Sequence, residues 1–524
     1  MAHTSALRAA LGTALVALAL TACSTPDNPQ AEPAGGSSGG SASGGAAAGG
    51  GTYNLPLVSP QGDIDPLTVA DFNAMFLVGL ANAQLVNKDP EGQLVGQLAS
   101  EWSASEDGLT WTVQLRPGIE FSNGEPVTPA DVVWTFEQII APDSVSPAAS
   151  SFDGTLASVA PSASGDAVDF TLDAAYSDFP YLLSGANTWI LPEGTDTSTW
   201  IDDPVGAGQF TLEDYTPGTG ATYAKNPNYW DADAVQLDGI QAKFFNDVQS
   251  QQLAFQSGEV DQLANVSEKQ LGSTPHRTDT AGWEKFDGLV FDTTQAPFDD
   301  VKVRQAIAAV LDRDAIVESV YQGDAEVAND VATFPDYEVQ PQGLDQRSAD
   351  VDAAEQLLDG IDTPISFTIT TYGSEETLAQ VIQQQLEATG LFDVELDVQS
   401  SGAYYATGDN SPWLSAPVTI TDWADRLPSQ LEALLYAEGA EWNAGRYTNP
   451  ELDDLTAQYD ATTDAAQRQQ LADQIATIQH EDVPVVIAAF VKSIVQLGPR
   501  VDGSFANGQK FDGGFDFRGI TVTG

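Results

Sequence analysis

The residues best suited to chemistry lie in the stretch TDWADRLPSQ (421–430). Asp422, Trp423, Asp425 and Arg426 place an indole, two carboxylates and one guanidinium within five residues. A guanidinium is a planar fork of donors that binds a carboxylate or another anion through two hydrogen bonds. Arg426 is also one of only 19 basic residues, beside 76 acidic ones. Two interpretations follow: Arg426 points into a ligand cleft, or it pairs with a neighbouring acid at the surface.

The element that positions these residues is the apolar run PVTI (417–420), which reads as a strand that delivers Trp423 at or just past its carboxyl end. In open α/β sheets, ligands lie in the crevice beyond the carboxyl ends of the strands. Trp423 and the residues after it therefore lie where a ligand would be met. Alternation along an extended backbone would turn Asp425 to the face opposite Arg426.

Helix and strand patterns alternate along the chain, which predicts an α/β fold. The clearest unit spans 364–398, where an alternating strand, an amphipathic helix and a second strand form a β-α-β unit with parallel strands. A helix is predicted to begin after Thr128, which can cap it. A further helical region, in two parts, is predicted over 303–321, and a buried strand over 485–491.

Composition excludes several classes of protein. A formal net charge of −57 argues against nucleic acid and against docking on an anionic membrane through a basic face. One cysteine and three histidines provide neither a disulfide framework nor a zinc cluster. We therefore expect no metal and no cofactor. The acidity fits an acidic secreted protein, or adaptation of the source to salt.

The amino terminus is typical of a secreted, anchored protein. Residues 1–22 read as a signal peptide whose apolar run, 9–20, is too short to span a bilayer. The sequence Leu-Thr-Ala-Cys that ends at Cys23 resembles the bacterial lipobox, in which the cysteine is lipidated; the alternative is an ordinary signal peptide. Apart from the cysteine and three prolines, residues 23–51 contain no apolar side chain larger than alanine, which predicts a flexible tether.

Five further stretches resemble, in order, one family: the extracytoplasmic solute-binding proteins of ABC importers, family 5, of peptide/nickel type. The first carries a W-x-x-S-x-DGLT hairpin and a T-P-A-DV helix, and the others carry the family's NP-x-YW, GE-x-D, PF-x-D and NPE-x-D patterns. These stretches are 98–139, 204–230, 257–262, 296–317 and 442–455. The resemblance covers essentially all of 53–524.

The resemblance implies an α/β, two-lobed fold like that of the periplasmic binding proteins (type II, cluster C-like), with an enlarged, discontinuous first lobe. We expect lobe I at 52–281 and 490–524, and lobe II at 282–489. It implies hinge closure on a small solute and delivery to a membrane permease. The chain itself is then not an enzyme and acts as an extracytoplasmic monomer, anchored to the membrane through lipid on Cys23.

In peptide binders of this family the segment after the strand often reads W-x-x-D, and the aspartate meets the α-ammonium of the peptide. Arg426 stands at that position here, and Asp425 is a neighbouring alternative. The segment 80–86 resembles the first cleft strand of the family. The candidate ligand-binding residues are Trp423, Arg426, Asp425, Asn82, Tyr404, Trp413 and Trp442.

The expected solute is an oligopeptide or dipeptide. Within the family, the alternatives are an oligosaccharide, a metal chelate or an opine-like solute. More remote alternatives are a secreted glycoside hydrolase with paired carboxylates and a structural lipoprotein. Because 76 acidic residues guarantee some suitably spaced pair, acid pairs do not favour the hydrolase.

Overall fold

The computed structural model describes residues 50–89, 92–406, 411–505 and 516–523. The expected signal segment 1–22, the expected lipidation site Cys23 and the tether up to residue 49 lie outside the described residues. Among the described residues, no helix combines the length and the apolar character needed to cross a membrane.

The strands are numbered along the chain. They are β1 (Thr52–Val58), β2 (Val86–Lys88), β3 (Leu94–Gly96), β4 (Ala99–Ala104), β5 (Thr110–Leu115), β6 (Leu156–Pro161), β7 (Ala167–Leu172), β8 (Phe210–Thr216), β9 (Gly220–Lys225), β10 (Gly239–Phe245), β11 (Gln262–Ala264), β12 (Arg277–Phe291), β13 (Ala325–Val327), β14 (Ile365–Tyr372), β15 (Phe392–Gln399), β16 (Val418–Ala424), β17 (Val485–Leu497), β18 (Val501–Asp502) and β19 (Thr521–Val522).

The α-helices are numbered in the same way. They are α1 (Phe72–Ala81), α2 (Pro129–Ile139), α3 (Ala149–Phe152), α4 (Phe179–Leu182), α5 (Val248–Gln256), α6 (Glu268–Leu271), α7 (Val301–Val310), α8 (Arg313–Val320), α9 (Val351–Leu357), α10 (Glu376–Ala388), α11 (Ser401–Tyr404), α12 (Pro412–Ser415), α13 (Pro428–Leu431), α14 (Pro450–Ala461) and α15 (Ala465–Asp482).

Three sheets of four or more strands organise the described chain, beside the two-stranded sheets β2-β3 and β18-β19. One has the strand order β1-β10-β9-β8, and a second has the order β4-β5-β7-β6. The third runs β11-β17-β12-β16-β14-β15, with β13 also paired to β17. This largest sheet joins strands from distant parts of the sequence, because β17 lies near the end of the chain and pairs with both β11 and β12.

The predicted β-α-β unit is confirmed. Strands β14 and β15 pair in parallel, with Ile365 opposite Phe392, and α10 lies between them in the sequence. The helix buries Leu378, Ile382 and Leu386 in the core beneath the sheet, as its apolar spacing of three to four residues requires. The two-part helical region, α7 and α8, and the strand β17 are confirmed as well.

Local capping chemistry explains where α2 begins. Thr128 has an extended backbone, Pro129 opens the helix, and the backbone N–H of Thr128 donates to Asp131 Oδ2 at 2.7 Å. This is the reciprocal contact of a capping box, so the start of this helix is set by four consecutive residues.

The segment 80–86 differs from the expected strand. Helix α1 continues to Ala81, and Asn82 forms its carboxyl-terminal cap with its backbone N–H bonded to Val78 O. The strand β2 begins only at Val86. The prediction of a strand here was wrong because the helical hydrogen bonds of α1 extend to residue 82.

Candidate functional site

The edge of the largest sheet where β14 and β16 end is the candidate site. The two strands are parallel, with Thr370 beside Thr419, so their carboxyl ends meet at one edge. Tyr372 ends one strand and Trp423 lies near the end of the other. The sheet thus brings together residues that are far apart in the sequence.

Asp425 and Arg426 leave this edge together. Strand β16 ends at Ala424, and the chain bends at Asp425. Both Asp425 and Arg426 line the same recess. The expectation that they face opposite ways was wrong, because alternation applies only along an extended strand and the strand has already ended.

The recess beside Arg426 is small and opens to solvent. Carboxylates, cations and tyrosine rings share its wall. Its lining residues are Lys88, Gly92, Tyr181, Asp336, Tyr337, Asp425, Arg426 and Leu427. Side chains of both charge signs face one small space, which is the arrangement that binds a solute with both a cationic and an anionic group.

Lys88 and Asp425 form an ion pair at this recess. Their Nζ and Oδ2 atoms lie 3.5 Å apart, and the two side chains are only 11% and 13% exposed. The structure therefore gives Asp425 a cation from a distant segment of the chain. The sequence analysis did not select Lys88. No motif marks this residue, and the only indication in the sequence is that basic residues are scarce.

Arg426 lies between the recess and a row of aromatic rings. Its guanidinium carbon is 5.8 Å from the centre of the Trp442 ring, within the range of a cation–π contact. The Arg426 side chain therefore lines the recess and also contacts the last of these aromatic rings, Trp442.

We call Tyr372, Tyr405, Trp413 and Trp442 the aromatic wall. Consecutive ring centres lie 5.2, 5.8 and 6.1 Å apart along that order. Trp442 is 36% exposed, and the other three rings are partly exposed. Two of the four, Trp413 and Trp442, were expected ligand-binding residues, whereas Tyr372 and Tyr405 were not among them.

Two further expected residues lie behind the aromatic wall. Trp423 is 3% exposed, and its ring centre is 6.1 Å from that of Trp442. Tyr404 is fully buried, stacks on Tyr372 at 5.2 Å and donates its hydroxyl to Ile420 O at 2.8 Å. Both rings hold the aromatic wall in place from the core side.

Asp422 fixes the tyrosine end of the aromatic wall. The hydroxyl of Tyr405 donates to Asp422 Oδ1 at 2.7 Å, and the hydroxyl of Tyr372 donates to the same oxygen. Burial opposes ionisation of this carboxyl, but the two hydrogen bonds and the nearby Lys285 bring its pKa below the ordinary value. Asp422 is therefore a carboxylate at neutral pH.

A buried charged cluster lies on the adjoining strand β12. Lys285 Nζ donates to Asp287 Oδ1 and to Glu375 Oε1, each at 2.8 Å, and Tyr321 donates to Asp287 Oδ2 at 2.7 Å. Burial raises the pKa of Asp287 to about 7, although the ammonium of Lys285 acts in the opposite direction. The sequence analysis did not predict this cluster. Its only indication in the sequence was that Lys285 and Asp287 lie two residues apart in one strand, so that their side chains share a face.

Asn82 lies apart from these residues, in a second recess. It is 4% exposed, and its Nδ2 donates to Val78 O at 2.9 Å. Gly206 packs so closely that a Cβ there would come within 2.4 Å of Asn82 Oδ1. The second recess is lined by Gly79, Asn82, Ala83, Gln84, Gln97, Gly208, Gln209 and Tyr229. Asn82 therefore does not join the recess of Arg426.

Within the described part of the chain, no group of three or more histidine, cysteine, aspartate or glutamate residues is arranged to hold a metal ion. The cluster around Lys285 is an ion-pair network instead, because its ammonium already lies between the two carboxylates.

Comparison with known proteins places this geometry in a family. Residues 93–444 match the family described as "Bacterial extracellular solute-binding proteins, family 5 Middle". The dipeptide-binding protein DppE of Bacillus subtilis (strain 168) is 26% identical over 444 residues, which cover 78% of this chain and 80% of that protein. Heme-binding protein A of Haemophilus influenzae is 26% identical over 480 residues, or 82% of this chain and 84% of that protein.

The fold is shared as well. The unliganded, open form of the periplasmic murein tripeptide binding protein MppA superposes with a TM-score of 0.80, over 91% of this chain and 98% of that one, at 18% identity. The predicted two-lobed α/β fold is thereby confirmed. The match in sequence spans well over half of the chain, and the chain belongs to the bacterial extracellular solute-binding proteins, family 5, which capture solutes outside the cytoplasm for ABC importers.

Proposed function

We propose that the captured solute is a short peptide with free termini. The observation that carries this proposal is the recess in which Lys88 and Arg426 face Asp336 and Asp425. A peptide with free termini is a zwitterion, and charge-assisted hydrogen bonds to both of its ends would hold it there. The similarity to a dipeptide-binding protein supports the same solute class.

The two charged ends have different partners in this proposal. Arg426 receives the carboxylate through its guanidinium fork. Asp425 binds the α-ammonium group of the peptide. This group replaces the ammonium of Lys88, whose Nζ lies 3.5 Å from the Asp425 carboxylate in the structure. Since Asp425 is only 13% exposed, the exchange of one ammonium for another keeps the carboxylate paired throughout.

Hinge closure between two lobes completes the capture. We assign lobe I to 52–281 and 490–524, and lobe II to 282–489, so that Lys88 and Arg426 come from opposite lobes. A solute that touches both lobes favours the closed form, because only that form provides all of its contacts. The permease of the importer then receives the closed, loaded protein.

The amino terminus ties this monomeric protein to the membrane in the same proposal. Lipid on Cys23 is the anchor, and the segment from residue 24 to residue 49 is the tether. A flexible chain of that length spans roughly 30 Å on average, enough to let the lobes reach the permease. Metabolic labelling with a tagged fatty acid checks the anchor: label should appear in the wild type and be absent in Cys23→Ala.

Thermal unfolding with defined peptides tests the solute class. Ala-Ala and Ala-Ala-Ala should raise Tm, and binding at one hundred times Kd adds about 2.7 kcal/mol to the free energy of unfolding. N-acetylated and C-amidated forms should raise it less, because each has lost one charged end. Stabilisation by oligosaccharide or metal-chelate pools, with none from di- to pentapeptides, would overturn the proposal.

A further inference from the structure

The rings of the aromatic wall meet at steep angles. The interplanar angles are 65° between Tyr372 and Tyr405, 57° between Tyr405 and Trp413, and 72° between Trp413 and Trp442. Rings at such angles do not form a flat stacking platform, and their faces point in different directions. The face of an aromatic ring has a negative potential, so the exposed ring faces of the aromatic wall favour a positive charge.

A carboxylate at one end reinforces the negative potential. Asp422 accepts hydrogen bonds from Tyr372 and Tyr405, so its charge lies directly beside the tyrosine end of the aromatic wall. Those two hydroxyls are held in place as donors, which fixes the orientation of both rings. A cation on the aromatic wall would therefore contact ring faces and lie near the negative charge of Asp422.

The structure already shows a cation at the other end. Arg426 has its guanidinium carbon 5.8 Å from the Trp442 ring centre. The aromatic wall thus has a carboxylate, Asp422, at its tyrosine end and a guanidinium, Arg426, at its tryptophan end.

We propose that the aromatic wall is the subsite for a cationic side chain of the bound peptide, so that peptides containing lysine or arginine are the preferred solutes. This inference rests on the proposed function, because the recess must hold the charged peptide termini first. Arg426 does not repel such a side chain in the complex, since the peptide carboxylate neutralises it.

Isothermal titration calorimetry with three tripeptides tests the inference. They are Ala-Lys-Ala, its isostere with norleucine in place of lysine, and the form with trimethyllysine. Lysine and trimethyllysine should bind about 3- to 30-fold more tightly than norleucine, the range expected of a cation–π contact. Equal affinity for lysine and norleucine would overturn the cationic subsite and leave peptide capture intact. Absence of binding by all three would overturn peptide capture and, with it, the subsite.

Two variants separate an effect of the aromatic wall on binding from an effect on the stability of the protein. In Trp413→Leu and Trp442→Leu the preference for lysine over norleucine should fall to about twofold or less, while binding of the norleucine peptide persists. Trp283→Leu is the matched control, because Trp283 also lies near a cation, Lys492 at 5.7 Å, but belongs to neither the recess nor the aromatic wall. A preference unchanged in both wall variants would overturn the inference.

Discussion

Two arginines of the chain have opposite surroundings. Arg468 is buried, and its Nη2 donates to Asp178 Oδ1 at 2.5 Å, to Tyr337 OH at 2.7 Å and to Tyr459 OH at 2.8 Å. Its guanidinium also lies 4.4 Å from the centre of the Tyr459 ring. Arg468 thus has its partners within the protein and joins the segment before α4 to helices α14 and α15.

Arg426, by contrast, faces a recess that opens to solvent and contacts the partly exposed Trp442. The comparison shows how to interpret a scarce cation in an acidic protein. Charge alone does not separate the two arginines, since each lies near carboxylates. Burial and surroundings do: Arg468 lies among buried partners of the core, whereas Arg426 lines a recess that opens to solvent, where our proposal places the solute.

Removal of the buried arginine should have the largest effect. Arg468→Met leaves Asp178 as a buried charge without its ion-pair partner, which should lower the free energy of unfolding by about 3–5 kcal/mol. Denaturation in urea measures the loss. The double variant Arg468→Met, Asp178→Asn should recover much of it. A loss below about 1 kcal/mol in the single variant would contradict the contrast between the two arginines.

Arg426, which is half-buried at the recess, should show the reverse behaviour. Arg426→Ala should weaken the binding of Ala-Ala about 10- to 100-fold, the range for a hydrogen bond to a charged group, and should change Tm little. Titration calorimetry and a thermal scan measure the two quantities. Arg500→Ala is the control, because Arg500 is partly exposed and pairs with Asp261 away from the recess. Unchanged affinity would return Arg426 to a surface ion pair.

Tyr337 touches both regions and sharpens the comparison. Its ring lines the recess, while its hydroxyl donates to Asp178 Oδ2 at 2.7 Å. Tyr337→Phe keeps the ring and removes the hydroxyl, which donates to Asp178 and accepts from Arg468 Nη2, so we expect a loss of about 1.5–3 kcal/mol in stability. Peptide affinity, measured in parallel, should stay within about threefold. A larger change in affinity than in stability would show that the two regions are not separate.

The buried carboxyl group of Asp287, on β12, should make the stability of the protein depend on pH. The pKa of Asp287 is raised to about 7, so the folded protein binds a proton that the unfolded chain releases near pH 4. The contribution of Asp287 to stability is therefore full below pH 4 and is lost as the pH rises to 7. It has a slope of up to about 1.4 kcal/mol per pH unit. Asp287→Asn should remove this slope between pH 5 and 7, and identical profiles would refute the assignment.

Local patterns predicted the elements well. The β-α-β unit over 364–398 follows from alternation, helical spacing and turn residues that are all contained in one short segment. The start of α2 at Thr128 follows from capping chemistry within four residues. Such features depend on neighbours in the sequence, and for that reason they can be read from it.

The site was predicted only in part. The sequence placed Trp423 and Arg426 at the carboxyl end of β16 because a strand end is a local signal. Lys88 and Tyr372 reach the same edge through tertiary contacts that no local pattern encodes. The prediction that Asp425 and Arg426 face opposite sides was wrong, because it required β16 to continue through both residues and the strand ends at Ala424. Asn82, chosen by position in a motif, caps α1 in another recess.

The exposure of Trp442 has an optical consequence. All ten tryptophans lie among the described residues, and Trp442 is the most exposed of them at 36%. A solute that covers this indole would remove water from it and shift its fluorescence emission to shorter wavelength, while the buried indoles would change little. The protein thus has an intrinsic reporter at its candidate site, and cargo can be screened without any label.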